Sequence, residues 1–226
     1  MQSKVKLTKR QIKEDKFTTY MLEAKDRFTD NWQFWVIGAV IVILAVIAVS
    51  YYSTSQANKA VEAADKYGRA MMEYRNGQSQ IAILSLNQIM EDYGSTAVAK
   101  KATFQLGVIS YESKNYPEAT RYFEQYLSSY RDNPLDRAAA LAGIADSEEN
   151  QGNFGAAAEK FDNAVAEYPD GPLVGDYLLG AMRSHLMNGD VASAQARLDK
   201  INSDFAGTDL ARRAVRLFNE RSSAKG

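Results

Sequence analysis

A pattern of small residue, large apolar residue and closing aromatic returns along most of the chain at nearly constant spacing, and no other feature limits the possible folds so sharply. Tyr116 to Tyr130 reads YPEATRYFEQYLSSY and Phe154 to Tyr168 reads FGAAAEKFDNAVAEY. Tyr116 meets Phe154, Ala119 meets Ala157, Phe123 meets Phe161 and Tyr130 meets Tyr168, all at an offset of 38. A forward shift of 37 brings Val191, Ala194, Leu198 and Phe205 into those slots, and a backward shift of 37 brings Ser79, Ala82, Leu86 and Tyr93. Four copies are therefore present. Each follows another helix-length stretch, roughly 58–76, 96–114, 135–151 and 173–188. Turn residues fall inside the units at Asn76-Gly77, Asn115, Gly152-Asn153 and Gly189-Asp190. Others separate the units at Gly94, Asn133-Pro134, Asp170-Gly171-Pro172 and Gly207. The unit is a helix-turn-helix.

Short side chains recur where two helix backbones must approach: Ala70, Gly107 and Ala145 in the first helices, and Ala82, Ala119, Ala157 and Ala194 in the second. The aromatic or Leu positions then fill the gap between neighbouring units, so no unit is stable alone and the stack needs a cap at each end. This arrangement resembles the tetratricopeptide repeat. Leu106-Gly107, Ala119 and Phe123 of the second unit match that family's pattern best, with Ile144-Ala145, Ala157 and Phe161 in the third. The first unit has Arg69-Ala70, Ala82 and Leu86, and in the fourth Ala181-Met182 replaces Leu-Gly. The resemblance implies an all-α solenoid of about four repeats, near 58–93, 96–130, 135–168 and 173–205. A capping helix at 208–221 would turn Leu210, Ala214, Leu217 and Phe218 inward and Arg212, Arg213 and Arg216 outward.

Only 4 Pro against 13 Tyr agrees with helices carrying aromatic knobs, and 27 basic against 28 acidic residues leave no global field to attract nucleic acid. The absence of Cys removes disulfides, thiolate metal sites and an acceptor for lipid attachment at cysteine. No phosphate loop, dinucleotide fingerprint, metalloprotease helix or calcium loop occurs. His185 is the single histidine, which leaves a histidine-based mechanism without material. The expected protein is not an enzyme and has no cofactor, metal or small-molecule substrate.

Phe34 to Val49 runs FWVIGAVIVILAVIAV without a charge, and residues 32–52 reach the length a bilayer core demands. Trp32 and Trp35 mark one end, Tyr51 and Tyr52 the other, where amphipathic rings favour the interface. Ala48-Val49-Ser50 has the small-residue spacing of a signal-peptide cleavage site. The preceding stretch is too long and too acidic for a usual n-region, so an uncleaved anchor is expected. Lys4, Lys6, Lys9, Arg10, Lys13, Lys16, Lys25 and Arg27 precede the segment, while Lys59 is the first basic residue beyond it. This places the 1–31 tail in the cytoplasm and the 57–226 repeat domain in the periplasm of a bacterial inner membrane. Thr8 with Gln11, and the spacing of Phe17, Met21, Ala24, Phe28 and Trp32, predict an amphipathic helix in the tail.

First helices line the concave face of such a solenoid. Tyr67, Met71 and Tyr74 align there with Phe104, Val108 and Tyr111, and then with Ala142, Asp146 and Glu149, followed by Leu179, Arg183 and Leu186. Tyr67, Met71, Tyr74, Phe104, Val108, Tyr111 and Arg183 are the candidate partner-binding residues; inter-helix core is the other role open to the rings. The layout of short tail, one anchor and solenoid is similar to the ancillary SecYEG translocon subunit family, also called YfgM-like. That resemblance implies an accessory to protein secretion whose partners are the translocon, nascent secretory chains or periplasmic chaperones. An envelope scaffold joining inner-membrane proteins to cell-wall or outer-membrane assembly proteins is the alternative.

Overall fold

A computed structural model of the chain describes residues 18–21 and 32–223. The amphipathic helix expected in the tail lies almost entirely outside the described residues, of which 18–21 are helical. The chain divides into two units between Ala57 and Asn58. Among the described residues every regular element is a helix.

The first unit contributes the beginning of α1 (Trp32–Arg75), which is exposed at every position from Trp32 to Tyr52. It is long and apolar enough to cross a membrane, since about 20 residues rising about 1.5 Å each cover a hydrocarbon core. Residues 53–57 (Ser-Thr-Ser-Gln-Ala) hold neither Pro nor Gly, and the helix continues through them without a break.

In the second unit the rest of α1 is followed by α2 (Ser79–Asp92), α3 (Ala97–Glu112), α4 (Tyr116–Ser129), α5 (Pro134–Asn150), α6 (Phe154–Glu167), α7 (Val174–Asn188), α8 (Val191–Asp204) and α9 (Asp209–Ser223). Local chemistry sets many of these bounds. Thr96 Oγ1 accepts from Ala99 N–H at 3.2 Å, Asn133 Oδ1 from Leu135 N–H at 3.0 Å and Asp190 Oδ1 from Ser193 N–H at 3.0 Å, each satisfying an orphan donor of a first turn. The reversal inside each pair needs one left-handed residue: Gly77, Gly152 and Gly189 supply it with φ of 79°, 83° and 88°. In the second pair a non-glycine, Lys114, takes that conformation at φ 59°.

Helices pack in sequence order. The inner positions of α9, with Ala214 fully buried, close the stack against α7 and α8. Ala82, Ala119, Ala157 and Ala194 are all fully buried, as the repeat spacing predicts. Leu86, Ile89, Leu106, Ile109, Ile144, Met182 and Ile201 are fully buried large residues, each contributing about 1.5–3 kcal/mol by removal from water. Phe123 shows why small partners are required. A methyl on Gly107 would lie 2.7 Å from its ring, and one on Gly143 would lie 2.5 Å away, so the ring is held between α3 and α5. Phe161 repeats the arrangement against Gly180, where an added Cβ would lie 2.7 Å from the ring.

The backbones of the first helices of successive pairs come close, α3 to α5 and α5 to α7, whereas those of α4 and α6, and of α6 and α8, do not, and α6 meets α8 only through side chains such as Asp162 and Arg197. The layer whose members meet is the inner side of the curve. This puts α3, α5 and α7 on the concave face.

Candidate partner-binding groove

Three clefts open along this inner layer. Tyr67, Lys100, Lys101 and Phe104 line the first with Tyr126 and Tyr130, in a volume of about 380 Å³. Lys100 is paired with Asp132 at its rim and stands 5.2 Å from the centroid of the Tyr130 ring. The second, about 300 Å³, is bounded by Phe104, Val108, Tyr111, Ala142, Asp146 and Tyr177. Leu179, Arg183, Arg213, Arg216, Leu217 and Glu220 enclose the third, about 330 Å³.

Five of the seven residues singled out from the sequence thus reach a cleft: Tyr67, Phe104, Val108, Tyr111 and Arg183. Met71 and Tyr74 are half-buried outside all three, and Tyr74 packs against the core formed by Ala70, Leu86 and Ile89. Phe104 serves both core and groove. Its ring meets Phe123 and Tyr126 edge-on, each with centroids 5.5 Å apart, and it forms a wall shared by the first two clefts. Such T-shaped pairs fix a ring in place, which suits a rigid contact surface.

The polar groups of the inner face differ in how far they are already paired. Arg183 Nε donates to Glu149 Oε1 at 2.7 Å and its Nη2 contacts Glu149 Oε2, so the guanidinium is committed within the protein. Ser184 Oγ also donates to Glu149, at 3.3 Å. Asp146, one turn before Glu149, meets one cation among the described residues, Arg183 Nη2 at 3.9 Å. Burial pushes the Asp146 carboxyl up to about 6; the Arg183 charge opposes that rise and Glu149 adds to it. Burial likewise raises the Tyr67 and Tyr111 phenols, with Asp146 contributing at Tyr111, and it pushes Tyr126 up to about 12.

Sequence reasoning did not single out Tyr177 as a groove residue. The slot it occupies holds Ala102 and Ala140 in the two preceding pairs, and that change from Ala to Tyr was the available signal. Arg213 and Arg216 were placed on the outer side of the cap, away from its apolar stripe. They are exposed, but they also close the third cleft beside Arg183.

The family described as tetratricopeptide repeat-like domain matches residues 25–170, more than half of the chain. The chain belongs to this family. Domains of this tetratricopeptide type act as scaffolds for protein–protein interaction. No curated protein matches the sequence. Among solved structures, a tetratricopeptide repeat protein from Parabacteroides merdae is similar with a TM-score of 0.61 at 16% identity, over 72% of this chain and 60% of that one. PilW, a type IV pilus biogenesis factor, gives 0.57 at 15% identity, over 68% and 67%. A putative kinesin light chain of Podosopora anserina with TPR-like repeats gives 0.56 at 19% identity, over 71% and 88%. At such identities the shared property is the tetratricopeptide fold itself.

Proposed function

We propose that this tetratricopeptide protein is a membrane-anchored scaffold that holds segments of other proteins in the inner groove of residues 57–226. The anchor at 32–52 leaves the basic tail in the cytoplasm and the groove in the bacterial periplasm. Its work there is as an accessory to protein secretion beside the translocon. The observation that carries the reading is the series of half-buried aromatic and apolar side chains, Tyr67, Phe104, Val108 and Tyr111, beside open clefts on the inner helices. Rings with an apolar body and a polar tip suit tolerant contact with extended segments. The asymmetry of Lys and Arg about the anchor supports the orientation.

Photocrosslinking in intact cells tests the partner, with the photoreactive residue at Lys101 or Glu112, exposed positions on the rims of the first two clefts. Translocon subunits and varied secretory chains are the expected products. A single cell-wall or outer-membrane assembly protein would make the chain an envelope scaffold instead, and no product from either position would remove the groove reading. Because the chain has no Cys, a lone cysteine at Ser203 reports the side directly. It should react with a membrane-impermeant maleimide added to the periplasm; protection until the inner membrane is opened would reverse the orientation.

A further inference from the structure

The second cleft carries two polar groups that accept or donate no hydrogen bond among the described residues. Tyr177 is 7% exposed, and among the described residues no group hydrogen-bonds its buried hydroxyl. Asp146 stands in the same cleft wall with its carboxylate half-exposed and accepting no hydrogen bond from the described residues. Its nearest cation, Arg183, is held by Glu149. Asp146, Glu149 and Glu112 around this cleft outnumber the one nearby guanidinium, so the local field is negative. A buried phenol without a hydrogen bond is costly, and a cleft that sets it beside a half-exposed carboxylate is suited to a donor brought from outside. The rest of the lining is apolar and aromatic: Phe104, Val108, Tyr111 and Ala142.

We infer that this cleft is a cation subsite, which takes a lysine or arginine side chain from an extended segment of a partner protein. The inference rests on the groove reading above. The alkyl stem of the guest lies along Val108 and Ala142, its charged head meets the Asp146 carboxylate, and the faces of Phe104 and Tyr111 add cation–π attraction. The Tyr177 hydroxyl oxygen accepts a further N–H of the same head. An acidic side chain is excluded by the surrounding carboxylates, and a neutral apolar one would leave Asp146 and Tyr177 as they are. The site is therefore selective among the segments the groove admits.

The test is a selection of random twelve-residue peptides on the purified full chain in detergent, run in parallel with Asp146→Asn and Asp146→Lys. Peptides from the wild-type selection are then remade with each basic residue replaced by norleucine, and binding is followed by fluorescence anisotropy. Enrichment of Lys or Arg is expected. One basic residue should be worth about tenfold in affinity, the usual size of a hydrogen bond to a charged group. That preference should vanish in Asp146→Asn and turn toward Asp or Glu in Asp146→Lys, with unchanged helical circular dichroism in both. Tyr177→Phe should lower the affinity of the basic peptides and spare their norleucine versions. Binders without basic preference, or with a preference that survives Asp146→Asn, overturn the cation subsite and leave the groove reading standing. Failure to select any binder overturns both.

Discussion

Asp162 and Asp146 are the same residue on neighbouring helices, α6 and α5, and the fold treats them in opposite ways. Asp162 accepts from Arg197 Nε at 2.9 Å and Nη2 at 2.6 Å, and it meets His185 Nε2 at 3.0 Å, so three helices are tied at one carboxylate. Arg137 plays a similar part elsewhere, donating to Glu167 at 2.6 Å and to the carbonyls of Leu127 and Tyr130 at 3.0 Å each. Asp146 on the inner face has no such set. At Asp162 and Arg137 the packing between helices pairs its charged groups closely, while the groove keeps Asp146 open. In a repeat stack, stability comes from neighbour-to-neighbour contacts, which leaves the inner face free for binding.

Mutations that attack the packed layer should be the most damaging. Phe123→Ala empties the socket between Gly107 and Gly143 and should cost about 3–5 kcal/mol in denaturant unfolding of the full chain. A loss under about 1 kcal/mol would mean that the ring is not the wedge between units two and three. Removing the tie at Asp162 with Asp162→Ala should cost about 1.5–3 kcal/mol, because Arg197 and His185 lose a charged acceptor. Filling a socket instead of emptying it, with Gly143→Ala or Ala157→Leu, should cost about 1–3 kcal/mol through overpacking. If either melts like the wild type, close approach at that slot is unnecessary.

Asp146→Asn should act in the other direction. The folded chain raises this carboxyl from 3.8 to about 6, so the fold favours its protonated form. The stability it contributes is present below 3.8 and is lost as pH rises from there through about 6. Arg183 and Glu149 are the charges that face the group, with the Tyr111 and Tyr177 phenols beside it. Melting temperatures of the variant should therefore gain on the wild type between pH 4 and 7, and parallel curves would show that Asp146 is already paired. The smallest effect is expected at Lys114→Gly, which relieves a left-handed conformation and should add about 0.5–1 kcal/mol. A loss there would show that the Lys114 side chain packs in its turn.

How much was legible in the sequence depends on how local the cause is. The helical class, the stacking of helix pairs and the closing helix follow from periodicity, because a slot such as Ala119 or Phe123 recurs wherever the same packing recurs. The turn of the second pair is a small exception. Spacing points to Asn115, and the left-handed residue is Lys114, since the reversal starts where the α3 backbone ends rather than where the turn-former stands. Gly143 and Gly180 were not read as sockets, because each receives a ring from the preceding pair, not from its own. Spacing along α7 alone puts Arg183 among the groove residues, and it carries no sign of Glu149, one pair away and 34 residues earlier, which holds the guanidinium.

By itself, then, the sequence determined the repeat, its helix-turn-helix unit and the apolar segment able to cross a membrane. These depend on spacing along one helix and on residue size, both of which are written in order along the chain. Only the tertiary structure decided which polar groups are used up in joining helices and which stay open on the inner face. Asp162 is hydrogen-bonded and Asp146 has only a distant guanidinium, because their neighbours come from other helices, at distances that the stacking of the pairs alone sets.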